Sequence, residues 1–219
     1  MANQAEVLKR KLKTDTYVEG DIYLRLHRAI SWLKGAEEHS SNSDIQFICL
    51  WISFNSCYAV DSFFDIKNLK PPKEIESLNS FLVHLISCDQ HKNIYSLIWN
   101  RFSSEIRVIL ENKYLFKPFW DFHRGEQIDY KSKLQQSIEK AHTFLAKSNV
   151  VGVLNIILER LYVLRNQILH GGATYKSSVN RKQIKDASQI LSRLLPIIIE
   201  IMIDNKEKQW GFSYYPVIK

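Results

Sequence analysis

Residues 150–175 read VVGVLNIILERLYVLRNQILHGGATY, and the interpretation of this stretch decides the fold. Apolar residues recur at helical spacing from Val150 onward, as expected of a helix with several packed neighbours. The run carries Arg165 and Asn166, then His170, and stops at Gly171-Gly172, a helix-ending signal. A guanidinium, an amide and an imidazole in the last turns of an apolar helix admit two readings. They are core polar groups with satisfied partners, or they form a site.

Working outward, helical periodicity continues on both sides. Ile22, Leu26, Ile30 and Leu33 mark a helix from Asp21 that ends near Gly35–His39. The next helix, Asp44 to Phe64, is apolar on nearly every side, and Asn55 is the one sizeable polar side chain in its middle. Leaving that amide bare costs about 1–3 kcal/mol, so it is expected either to hydrogen-bond between helices or to orient a facing site. Lys70-Pro71-Pro72-Lys73 breaks the chain, and helices are expected to Cys88, from Asn93 to Tyr114, and from Lys131 to Lys147. Between the last two, Phe116–Tyr130 reads as an aromatic loop packed on the fold, with Asp121, His123 and Arg124 held in it. A final helix runs from Ser178 to about Asn205 with Pro196 inside it. Residues 1–20 read as a charged arm or frayed helix, and residues 206–219 as an aromatic tail that folds back. The expectation is an all-α protein, an antiparallel helical bundle of about seven helices in a single domain, 1–219.

Composition agrees. Of the 219 residues, 45% are apolar and 24% charged, and seven glycines with five prolines are too few for the turns of an all-β fold. The net charge of +7 favours polyanionic partners, nucleic acid first among them. That charge reads as dispersed, with Leu8–Lys13 (LKRKLK) its one short basic cluster. Cys49, Cys57 and Cys88 form no CxxC pair and leave an odd count, which argues for a reducing compartment. No metal-ligand cluster is visible, and no metal or other cofactor is expected. No apolar segment follows the basic N-terminus as in a secretory signal. The longest apolar run, Leu194 to Ile203, contains Pro196 and Glu200 and is too short for a bilayer, which needs about 20 residues. A cytoplasmic chain with no membrane partner is expected.

Helical geometry constrains the polar group further. Asn166 and His170 are four residues apart and lie within about 40° on one face. Arg165 and His170 are five apart, and their directions diverge by about 140°. One helix does not bring those two together, so a second copy of the chain is expected to complete the site. Singly, Arg165 would pair with an acid such as Glu159 or Asp61, and His170 would face the negative end of the helix. Together, beside a glycine pair, they favour a site.

Arg165-Asn166-Gln167-Ile168-Leu169-His170 resembles the signature of the HEPN superfamily: arginine, usually a polar residue next, and histidine a few residues later. The segments FICLWISFNSCYA (47–59) and RNQILHGG (165–172) are most similar to the Apea-like branch. The resemblance implies an all-α bundle and a metal-independent endoribonuclease acting as a homodimer, its two motifs meeting through the Arg165–His170 helix. It implies that His170 moves protons between the 2′-hydroxyl, the phosphate and the leaving oxygen, help typically worth about 10²–10⁴-fold. Arg165 would hold the scissile phosphate, and Asn166 would orient one of these groups. Arg165, Asn55, Tyr175 and Lys176 are the candidate RNA- or nucleotide-binding residues.

A toxin or defence role, with a nucleotidyltransferase or other antitoxin as partner, is part of the same expectation. Members paired with a minimal nucleotidyltransferase often carry a tyrosine two residues after the histidine. Gly172 stands there in this chain and the next tyrosine is Tyr175, so control by that modification is not implied. The alternative is a non-catalytic RNA- or nucleotide-binding or dimerisation module of a defence or stress system.

Overall fold

The computed structural model describes residues 3–14, 20–58, 60–61, 74–101 and 103–213; at 60, 61, 74–76, 101, 103 and 104 only the backbone is described. The fold is all-α, with ten α-helices among the described residues. The chain divides into two compact units, Met1–His91 with Leu191–Lys219, and Lys92–Ile190.

In the first unit, α1 (Gln4–Lys13) is capped by the Asn3 side chain, which accepts from the Glu6 amide at 3.0 Å. Ala5, Leu8 and Leu12 recur on one face and are buried, and Lys11 bridges Glu200 at 2.9 Å and Asp204 at 2.7 Å. Within the stretch expected as an arm or frayed helix, Gln4–Lys13 is therefore a packed element. Its apolar stripe is narrow and set among lysines and arginines, which is why it reads as solvated.

Small side chains set the approach of α2 (Asp21–Glu38) to α3 (Ser43–Tyr58). The Ser53 hydroxyl, fully buried, donates to the Ala29 carbonyl at 2.7 Å, and a Cβ on Gly35 would lie 3.6 Å from the Cys49 sulfur. Phe47, Leu50, Trp51, Phe54, Cys57 and Tyr58 bury α3 on most sides. α3 ends at Tyr58, short of the expected Phe64, and the Lys70–Lys73 break lies outside the described residues. Two-residue strands β1 (Val60–Asp61) and β2 (Phe212–Ser213) pair antiparallel. Trp210, 6% exposed, packs edge-on to His84 of α4 (Glu74–Cys88) at 4.5 Å. Arg25, buried in α2, holds this return segment by donating to the carbonyls of Trp210, Gly211, Ser56 and Cys57.

The second unit begins with α5 (Asn93–Ser96), a π turn over Leu97–Arg101 and α6 (Ser103–Glu111), where one helix over 93–114 is expected. The widened turn carries Trp99, which stacks on Tyr95 at 4.5 Å and donates to the Leu145 carbonyl at 3.2 Å. A 3₁₀ turn, Lys113–Leu115, leads into α7 (Lys117–His123), so part of the expected aromatic loop is helical, with Pro118 in its first turn. Phe119 contacts Tyr114, Trp120, His123 and Tyr130, and buried Asp121 pairs with Lys117 at 2.6 Å and with Arg124. These contacts make Asp121, His123 and Arg124 parts of the packing.

α8 (Tyr130–Ala146) and α9 (Val150–Leu169) follow. The Asn149 side chain caps α9 by accepting from the Gly152 amide at 2.9 Å. Buried residues crowd α9 from Gly152 to Leu164, on nearly every side of the helix. α10 (Arg181–Asp204) starts in this unit and continues into the first. Its Ile184, Ala187, Leu191, Leu194, Leu195, Ile198 and Met202 are buried, as the period of the sequence requires, and Pro196 lies within it.

Candidate functional site

Burial on α9 changes along its length. The helix is mostly buried from Gly152 to Leu164, with Glu159 exposed, partly buried from Arg165 to Ile168, and exposed at Leu169 and His170. His170 is the C-cap, and Gly171 follows with a φ of +74°, a left-handed conformation that glycine adopts without strain. The sequence places its polar group where the helix leaves the core.

Arg165 donates through Nη1 to the Asn166 side-chain oxygen at 2.8 Å, and its guanidinium lies 5.7 Å from the Tyr162 ring centre. Its Nε is buried and has no hydrogen-bond partner. Neither Glu159 nor any other acid of known side-chain position pairs with it among the described residues. Arg165 and Asn166 are thus joined directly. Arg165 and His170 make no hydrogen bond to each other, in line with their divergent directions on the helix. The imidazole of His170 stands exposed at the helix end.

The connection to α10 carries the next candidates. Tyr175 is 63% exposed, and the Lys176 ammonium lies 5.4 Å from its ring centre. Gln167, between Arg165 and His170, donates to the Tyr114 carbonyl at 2.6 Å and accepts from the Asn180 amide at 3.3 Å. Trp120 donates to the same Tyr114 carbonyl at 2.8 Å. Tyr114 is 45% exposed, with the Lys113 ammonium 5.2 Å from its ring centre. Lys113, Tyr114 and Gln167 were not among the residues expected from sequence.

Asn55, the remaining expected residue, belongs to the first unit, and the other candidates belong to the second. Its Oδ1 is buried with no hydrogen-bond partner, so the expected helix–helix bond through that oxygen is not made.

Charge is more concentrated than the sequence reading allowed. From Arg160 to Lys185 the chain carries Arg160, Arg165, Lys176, Arg181, Lys182 and Lys185 and no Asp or Glu. Arg181 and Lys182 occupy the first turn of α10, where the helix dipole is also positive, and Asp186, one turn further on, interacts with Lys182. The signal in the sequence is the absence of acids over the stretch and not a run of consecutive cations. Arg160 is the exception in this stretch: it is 1% exposed, donates to Ser137 at 2.8 Å and lies over the Phe116 ring at 4.4 Å. Burial holds its guanidinium below the usual range, with Glu159 opposing the shift.

No family model, curated protein or solved structure matches the chain at a significant level. Among the described residues no group of three His, Cys, Asp or Glu side chains could hold a metal ion, and no helix is long and apolar enough to cross a membrane.

Proposed function

We propose that the chain is a metal-independent endoribonuclease of the HEPN type, active as a homodimer, with a toxin or defence role. The observation that carries this reading is the state of Arg165: a partly buried guanidinium oriented by Asn166, its buried Nε without a hydrogen-bond partner and its charge without a paired acid among the described residues. An uncompensated, pre-oriented cation of this kind suits a phosphate, which offers the acceptors and the charge that the protein leaves out. In the reaction, the 2′-oxygen of one nucleotide attacks the adjacent phosphorus and the bond from phosphorus to the 5′-oxygen breaks. His170 takes the proton of the 2′-hydroxyl or supplies the proton of the leaving oxygen, and Arg165 offsets the charge that develops on the phosphate. The exposed His170 and Leu169, at the end of a mostly buried helix, support a second copy of the chain docking there.

The test is cleavage of structured and unstructured RNA by the purified chain in EDTA, beside His170→Ala and Arg165→Ala. Loss of cleavage in both variants supports the assignment. Cleavage that survives both substitutions, or that requires a divalent metal, overturns it.

A further inference from the structure

We propose that two exposed tyrosines, Tyr114 with Lys113 and Tyr175 with Lys176, are stacking subsites for unpaired RNA bases beside the end of α9. The proposal rests on the ribonuclease reading above, and it names what that site recognises: single-stranded RNA, held through its bases as well as its phosphates.

Four observations lead there. First, the two rings are among the large apolar side chains left exposed in the second unit, at 45% and 63%. Second, each ring has a lysine ammonium beside it, at 5.2 and 5.4 Å from the ring centre. A ring beside a cation suits a single strand, the ring taking a base and the cation the neighbouring phosphate.

Third, Tyr114 is held in place before any ligand arrives. Its carbonyl accepts from Gln167 and Trp120, its amide donates to the Asn112 side chain at 2.9 Å, and its ring meets Phe119 edge-on at 5.3 Å. A platform already ordered costs little further entropy on binding. The Gln167 bond also ties Tyr114 to the helix that carries Arg165 and His170, and the Asn180 bond ties in the connection that carries Tyr175. Fourth, the acid-free stretch from Arg160 to Lys185 repels no part of a polyanion.

The chemistry needs the same thing. A 2′-oxygen can attack in line only when its nucleotide leaves regular helical stacking, and drawing flanking bases onto protein rings supplies that departure. Stacking is tolerant of base identity, so broad sequence acceptance is expected.

The experiment uses the full chain and two short fluorescein-labelled oligonucleotides with 2′-O-methyl sugars, which cannot be cleaved by 2′-attack. One carries uracil at every position, and the other is abasic with the same length and charge. Fluorescence anisotropy is expected to show the base-bearing strand binding at least about tenfold tighter than the abasic one. Tyr114→Ala and Tyr175→Ala should each weaken the uracil strand at least about fivefold, while Tyr114→Trp and Tyr175→Trp keep the affinity. Equal affinity for the two strands overturns the subsites. Unchanged affinity in both alanine variants does so too, as does their conversion of a dimer to a monomer in sedimentation, which would make the rings a contact between copies. Cleavage of ordinary RNA by the unaltered chain reads out separately: base-dependent binding without cleavage supports the subsites and overturns the nuclease, and cleavage without base-dependent binding does the reverse.

Discussion

The side-chain amide of Gln167 donates to the main-chain carbonyl of Tyr114, 53 positions earlier, at 2.6 Å. Because its oxygen also accepts from Asn180, one side chain fixes the 3₁₀ turn and the α9–α10 connection to the end of α9. Gln167→Ala leaves Trp120 on the Tyr114 carbonyl but removes both links through the amide. It should cost about 1–3 kcal/mol of stability in urea unfolding, the range for two net hydrogen bonds. RNA affinity should fall, since both tyrosines lose their common support. Unchanged RNA binding in a folded Gln167→Ala protein would show that the link plays no part in recognition.

His170 is exposed and Arg165 makes no ion pair among the described residues, so replacing either should barely move the melting temperature. Cleavage in EDTA is a different matter. His170→Ala is expected to lower it by about 10²–10⁴-fold, the usual worth of a positioned proton donor or acceptor. Arg165→Lys should fail to restore what Arg165→Ala loses, because an ammonium does not reproduce a planar fork oriented by Asn166. A loss of several degrees in melting temperature with either change would mark the pair as a structural network instead.

The parts of the fold that were legible are those whose burial repeats along one element. α10 buries Ile184, Leu191, Leu195, Ile198 and Met202 in register with its sequence period, and α9 is buried on nearly every side and reads so. α1 was not legible because its three buried residues, Ala5, Leu8 and Leu12, stand among five Lys, Arg and Glu and look like part of a solvated helix. The Arg165–His170 motif stood out because polar residues rarely end an apolar run. Tyr114 and Gln167 did not, because their link joins a side chain to a main-chain carbonyl and leaves no mark in residue type. Arg25 was missed for the same reason, its partners being carbonyls.

Arg25 is 2% exposed and donates to four main-chain carbonyls, two of them in the Trp210–Gly211 return. Burial lowers its affinity for its proton, yet the carbonyls around it are suited to a cation. Arg25→Ala strands those acceptors in the interior and should cost about 3 kcal/mol or more. The loss should appear in urea unfolding and in the near-ultraviolet dichroism of Trp210, whose packing on Phe81 and His84 depends on the return segment. A near-neutral substitution would mean the tail is held by Trp210 alone.

Burial pushes the Cys57 thiol up to about 12, against an ordinary value of 9.0, and the neighbouring Arg25 only partly opposes this. The folded state therefore binds the thiol proton more tightly than the unfolded chain does. Stability from this group is complete below about pH 9 and is lost as pH rises from there towards about 12. Urea unfolding across that window should show a steeper alkaline loss for the native chain than for Cys57→Ala. At pH 8 the buried neutral thiol should also resist a disulfide reagent until the protein is unfolded. Parallel pH slopes in the two proteins would disprove the assignment.

Gly152, in the first turn of α9, would seem an easy site to stabilise, because alanine favours a helix over glycine by about 1 kcal/mol. The neighbour decides otherwise. A Cβ built there lies 2.5 to 2.7 Å from three ring carbons of Phe144 on α8, including Cγ at the root of the ring. The whole ring would have to move, not its tip, and it is held with the Lys140 ammonium 5.6 Å from its centre. Gly152→Ala should therefore destabilise the chain by about 1–3 kcal/mol, the range for overpacking. Phe144→Ala removes the obstacle, so the double variant should be more stable than the two single losses added together, with a coupling of about 0.5–3 kcal/mol. Urea unfolding of the four proteins measures the cycle. If Gly152→Ala raises the midpoint on its own, the ring yields freely and the close approach of α8 to α9 is not what requires glycine at this position.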